Sequence, residues 1–146
     1  MKQLSAERLT IDFEAKRNKV HNNIAERLKF KQKEKKKKYP NRVFNSCLQI
    51  DQKIPGVKLM FTKSNNPYFI LDLLTQSGET VKASIMPYLK TIKDENDEPI
   101  KRGKRQNQVK HLKIALRWPF GDINIPQSKL EFDNINQLVK YLRNEV

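Results

Sequence analysis

Between Ser5 and Lys38 the chain contains neither proline nor glycine, and Leu9, Phe13, Val20, Ile24 and Leu28 recur there at steps of 4, 7, 4 and 4. That spacing lays an apolar stripe along one side of a helix. Ser5 is placed to cap it, but Arg8 stands where a capping box needs Glu or Gln, so the first turn is weakly specified. Past Leu28 the stripe gives way to Phe30 and then to Lys31-Gln32-Lys33-Glu34-Lys35-Lys36-Lys37-Lys38. This end has no apolar face to pack, and it is expected to be helical when a polyanion screens its charges. Tyr39-Pro40-Asn41 should end the helix, because the residue before a proline is pushed out of the α region.

After Pro40 the pattern changes to short runs of β-branched and aromatic residues punctuated by Gly, Pro, Asn and Ser, the signature of strands. Strands are expected over 43–50 (Phe44, Ser46, Leu48 and Ile50 on one parity), 57–62, 68–74, 79–86, 109–118 and, shorter, 123–125. Ile54-Pro55-Gly56, Ser64-Asn65-Asn66-Pro67 and Thr75-Gln76-Ser77-Gly78 supply the turns. The acidic stretch Asp94-Glu95-Asn96-Asp97-Glu98 and the basic Lys101-Arg102-Gly103-Lys104-Arg105 read together as a solvated, mobile loop over 90–108. Asp133 or Asn134 can cap a last helix to about Asn144, striped by Ile135, Leu138, Val139 and Leu142. The expected fold class is α+β: a long basic N-terminal helix, a mainly antiparallel sheet of five to six strands, and a C-terminal helix packed on it. In domain terms this is a basic helical arm, 1–42, and a small α+β body, 43–146, with a meander over 43–86, the polar loop 90–108, strands within 109–125 and a helix over 133–144.

Charge is what points to a partner. The 146 residues carry 30 Lys plus Arg against 16 Asp plus Glu, a net charge of +14, with a pI near 9.9. Residues 1–42 hold 14 basic and 5 acidic side chains (+9), and 43–146 hold 16 and 11 (+5). A basic arm on a more balanced body suits a polyanion. Its lysines and arginines would displace counterions condensed on phosphates, giving affinity without reading sequence. The candidate contacts are Arg17, Lys19, Arg27, Lys29, Lys31, Lys33, Lys35, Lys36, Lys37, Lys38 and Arg42 on the arm. The body adds Lys82, Lys113 and Arg117 on strands and Lys101, Arg102, Lys104 and Arg105 in the loop. An antiparallel sheet can lay one face in a major groove, so strand cations of one parity would line that face. Asn65, Asn66, Gln76 and Ser77 read first as turn residues. Tyr68, Tyr88 and Trp118 read first as core and second as platforms for unpaired bases.

Other chemistries find little support. One cysteine, Cys47, excludes an internal disulfide and a multi-cysteine metal site within a chain, and fits a reducing cytosol. His21 and His111 are too far apart in sequence for a helical metal-binding pair. No glycine-rich phosphate loop is present. No cofactor and no metal are expected. Cys47 with His111 would make a nucleophile pair only if a strand cysteine were not simply core. A metal-dependent nuclease needs carboxylates on adjacent strands and a nearby lysine, for which Asp51-Gln52-Lys53 with Asp72 and Glu79 are the available residues. No run approaches the ~18 uninterrupted apolar residues of a membrane span, and Met1-Lys2-Gln3-Leu4 does not open onto the apolar core of a secretory signal. A cytoplasmic protein without a membrane partner is therefore expected.

The meander of residues 57–86 resembles in outline the small three-stranded sheet plus helix of plant-type transcription factors and of phage-integrase arm-binding domains. The likeness is one of architecture alone. Taken together, the sequence reads as a non-catalytic nucleic-acid-binding protein, DNA ahead of RNA, acting in replication, recombination or regulation of a phage or mobile element. The alternatives are a protein-interaction module that docks or self-associates through the N-terminal helix, and a small metal-dependent nuclease.

Overall fold

The computed structural model describes residues 24–74, 80–104, 106–119 and 128–143. Of the helix expected over 5–38, the part described is α1 (Ile24–Lys35); Arg17 and Lys19 lie outside the described residues. The helix stops before Pro40 acts. Lys36 turns left-handed (φ +55°), its N–H reaches the Lys33 carbonyl at 3.3 Å, and the Lys37 N–H reaches the Gln32 carbonyl at 3.2 Å. These two bonds are the Schellman closure of a helix, made here with lysine where glycine is usual.

The strand expected over 43–50 is instead the middle of a second helix, α2 (Asn41–Lys53). Phe44, Leu48 and Ile50 do share a parity, but the buried set is Val43, Ser46, Cys47 and Ile50, at helical steps of 3, 1 and 3. Pro40 therefore opens a helix as well as ending the approach to it: its φ of −54° is already helical, and its carbonyl accepts the Phe44 N–H at 3.0 Å. Buried Ser46 satisfies its hydroxyl on the Arg42 carbonyl at 2.7 Å.

Five strands then form one antiparallel sheet in the order β1-β2-β3-β6-β7: β1 (Lys58–Phe61), β2 (Pro67–Leu74), β3 (Thr80–Thr91), β6 (Lys110–Trp118) and β7 (Ser128–Phe132). Between β3 and β6 the chain makes a two-stranded ladder, β4 (Lys101–Arg102) with β5 (Asn107–Gln108). Gly56 takes φ +78° in the turn before β1, a conformation cheap only without a Cβ. The expected strands over 57–62, 68–74 and 109–118 are present, and the one over 79–86 continues as β3 to Thr91. Residues 123–125 lie outside the described set, and β7 was not expected because its apolar residues, Leu130 and Phe132, are few. The last described element is α3 (Ile135–Leu142), where the Asn134 side chain accepts from the Gln137 N–H at 3.0 Å.

The register fixes which side of the sheet is inside. Directly opposed residues share a face, and the chain Leu59↔Phe69↔Ile85↔Leu116 runs straight across β1, β2, β3 and β6, all 0–1% exposed. Leu71, Leu73, Val81, Ala83, Ile114 and Trp118 complete this inner face. α2 and α3 lie side by side over it, bringing Cys47, Ile50, Ile135, Leu138 and Leu142. Ile24 and Leu28 of α1, and Tyr39 after it, belong to the same core, so the described part of the basic arm packs as part of the body.

Candidate functional site

α1 shows how a lysine-rich helix can lie on an apolar core. Its buried stripe, Ile24 and Leu28, would continue at positions 31 and 35, and both are lysines. Each lays its stem inward and its ammonium over an aromatic ring, Lys31 at 5.1 Å from the Phe61 centroid and Lys35 at 5.0 Å from that of Tyr39. Such contacts let an amphipathic cation cover apolar surface. Polar bonds fix the helix along the sheet edge. The Arg27 guanidinium donates to the Leu59 carbonyl of edge strand β1 at 3.2 Å, which blunts that edge. Lys35 donates to the Asn66 side chain at 3.1 Å, and the Tyr39 hydroxyl donates to the Asn65 carbonyl at 2.5 Å. Asn65, at φ +62°, and Asn66 thus serve as turn and anchor.

The outer side of α1 differs. Lys31 pairs with Glu34 at 3.2 Å, but the side chains of Lys29, Lys33, Lys36, Lys37 and Lys38 have no hydrogen-bond or ion-pair partner among the described residues and are exposed. Among them stands Phe30, 63% exposed. With Arg27, Lys29, Lys31, Lys33 and Phe61, and with Glu26 as the one carboxylate among the described lining residues, it borders an open groove of about 700 Å³.

Antiparallel pairing decides what lies near this helix. Phe61↔Pro67, Phe69↔Ile85 and Thr91↔Lys110 put the β1–β2 turn, the end of β3 and the start of β6 at one end of the sheet. α1 reaches that end through Lys35 and Asn66, and Arg42 ties the start of α2 to it by donating to the Lys110 carbonyl at 3.0 Å. The expected loop 90–108 also leaves from there, and it has regular pairing. The Ile92 N–H donates to the Val109 carbonyl, the Val109 N–H to that of Ile100 and the Ile100 N–H to that of Ile92, a bridge joins Lys93 and Pro99, and β4 pairs with β5. An acidic tip and a basic tip result. The acidic one is tied internally, Asp94 accepting the Asn96 and Glu98 N–H groups and Lys93 pairing with Asp97 at 3.5 Å. The basic one presents Lys101, Arg102 and Lys104, exposed and unpaired among the described residues; Arg105 lies outside them. The lysine run 36–38, Arg42 and the loop cluster therefore share one end of the fold.

The outer face of the sheet carries Lys82, Lys113 and Arg117 on one parity, as their spacing predicts. Two of the three charges are already engaged, Lys82 with Asp72 at 3.3 Å and Lys113 with Asp133. Arg117 is exposed and unpaired among the described residues. Tyr68 and Tyr88 lie half-buried on this face, whereas Trp118 is core, stacked on Tyr141 at 6.5 Å. Tyr88 donates to Glu131 under the Lys129 ammonium. Burial, with the Glu131 bond, pushes the Tyr88 hydroxyl up to about 12; that bond, with Lys129 and Lys90, holds the Glu131 carboxyl down at about 2.

The residues considered for catalysis do not converge. Cys47 is buried on the helical side, where burial pushes its thiol up to about 12, and His111 is exposed on β6. Asp51 belongs to α2 over the inner face and Asp72 to the outer face, because a helix replaced the expected strand; Glu79 lies outside the described residues. No described helix is long and apolar enough to cross a membrane. Phe30 and Phe61 are not among the residues that the sequence marks as contacts; for Phe30, an aromatic set in a lysine run is the signal that points to it. No family model, curated protein or solved structure matches the chain.

Proposed function

We propose that this is a non-catalytic nucleic-acid-binding protein whose ligand is DNA rather than RNA, working in the cytoplasm in replication, recombination or regulation of a phage or mobile element. The observation that carries the reading is the convergence of the lysine run after α1, Arg42 and the Lys101–Lys104 tip on one end of the sheet. Cations gathered on one side of a molecule gain from releasing several counterions together, whereas a uniformly basic coat would present few at once to one duplex. DNA is favoured because an exposed antiparallel face fits a B-form major groove and not the narrow one of A-form RNA. A salt series with duplex DNA, single strand and structured RNA tests it. Affinity present at low salt and falling linearly with log salt is expected, and no binding at low salt refutes it.

The interaction-module alternative is weakened by the burial of Ile24 and Leu28, two residues of its docking stripe, in the chain's own core. The nuclease alternative lacks a shared carboxylate site in Asp51 and Asp72, which lie on opposite faces.

A further inference from the structure

We infer that the groove between α1 and β1 takes an unpaired base of a single-stranded nucleic acid, with Phe30 as its stacking platform. The inference rests on the nucleic-acid reading above and adds to it a contact for an unpaired stretch of the ligand. Phe30 is a large apolar side chain left 63% exposed in the middle of a basic helix, and one helical turn away from it Lys33 is exposed without a partner among the described residues. An isolated exposed apolar side chain needs no explanation. Phe30, however, borders an open groove of about 700 Å³ that Phe61 also lines.

The chemistry of the rim selects the occupant. Among the described residues of the rim, Arg27, Lys29, Lys31 and Lys33 outnumber Glu26, so an anionic partner is favoured. Arg27 and Lys31 are spent on the Leu59 carbonyl and on Glu34, leaving Lys29 and Lys33, one helical turn apart on the flank next to Phe30, for two phosphates. A partner with successive anionic links along one edge and a flat apolar unit projecting sideways matches that arrangement, and this describes a nucleotide within a strand. Paired bases expose only their edges, so a duplex cannot put a base face on Phe30. Beyond Lys33 the same strand would meet Lys36, Lys37 and Lys38 and the cationic end of the sheet, which gives the groove a continuous track.

The test uses the full-length chain, fluorescence anisotropy, and three probes at low salt: a thymidine 15-mer, a uridine 15-mer and a 15-base-pair duplex. Phe30→Ala should weaken both single strands about tenfold and the duplex less than twofold, since base–aromatic stacking dominates one and phosphate contact the other. Phe30→Trp should restore single-strand affinity, and its emission should be quenched on binding. A weakening of only one single strand would identify whether the sugar is read as well, and would still support the groove. Unchanged single-strand affinity in Phe30→Ala, with normal binding and salt dependence in the wild type, overturns the inference and leaves the broader function standing. Failure of the wild type to bind any probe removes both. A change confined to the sedimentation of the free protein would make the groove a contact between copies and would also overturn it.

Discussion

Replacing Lys29, Lys33, Lys36, Lys37 and Lys38 together by glutamine would separate charge used for binding from charge used for folding. All five side chains are exposed and have no partner among the described residues. Glutamine matches lysine in helix propensity, so folding stability should move by about 0.5 kcal/mol or less per site. Each phosphate contact on B-form DNA contributes about −0.9 to the slope of log affinity against log salt. Losing five contacts should therefore flatten the slope by about 4.5. Between about 50 and about 200 mM salt, the wild type would lose roughly 500-fold more affinity than the variant. The matched control is Lys82→Gln with Lys113→Gln, whose charges face Asp72 and Asp133. It should change the slope by less than one contact. Anisotropy titrations at four or five salt concentrations read both slopes. An unchanged slope in the fivefold variant, or an equal loss in the control, would refute the placement of the binding charge on α1 and the turn after it.

Three further expectations concern the fold. Leu28 is fully buried, so Leu28→Ala should cost about 2–5 kcal/mol in urea unfolding; an effect no larger than that of Lys29→Ala would mean that α1 does not share the core. Lys36 holds a left-handed conformation at the end of α1, and Lys36→Gly should raise the unfolding free energy by about 0.5–1 kcal/mol, read as a higher urea midpoint at an unchanged denaturant slope; a fall would show that the closure is not retained. The Tyr88–Glu131 bond predicts two pH limbs. With its carboxyl held at about 2 against an ordinary 4.5, Glu131 stabilises above pH 4.5 and loses that contribution as pH falls toward 2. Tyr88, raised from 10.0 to about 12, stabilises below pH 10 and loses its share as pH rises through that window. Tyr88→Phe should flatten the alkaline limb and part of the acid one, since Lys129 and Lys90 still hold Glu131; identical limbs in the variant would refute the assignment.

Much of the fold could be read from the chain because local patterns were strong. Alternation marked β2, β3 and β6, and Asn134 with the Ile135–Leu142 stripe marked α3. Residues 43–50 misled because Phe44, Leu48 and Ile50 satisfy the strand period while Val43, Cys47 and Ile50 satisfy the helical one. Burial against the inner face of the sheet settles the choice, and no local rule contains that information. The end of α1 was hidden for a related reason. Its closing residue is one lysine in a run of four, with none of the glycine that normally signals such a stop.

The amino-acid sequence by itself determined the class of fold, the count of charge and its concentration ahead of Arg42, since all of these follow from composition and short periods. Tertiary structure decided what each charge faces. It turned Lys31 and Lys35 into covers for aromatic rings and neutralised Lys82 and Lys113. It also carried the Lys101–Lys104 tip to the end of the sheet that holds the lysine run, although they are more than sixty residues apart in the chain. Electrostatic contact depends on distance in space, and only the pairing of β3 with β6 and the packing of α1 along β1 set those distances.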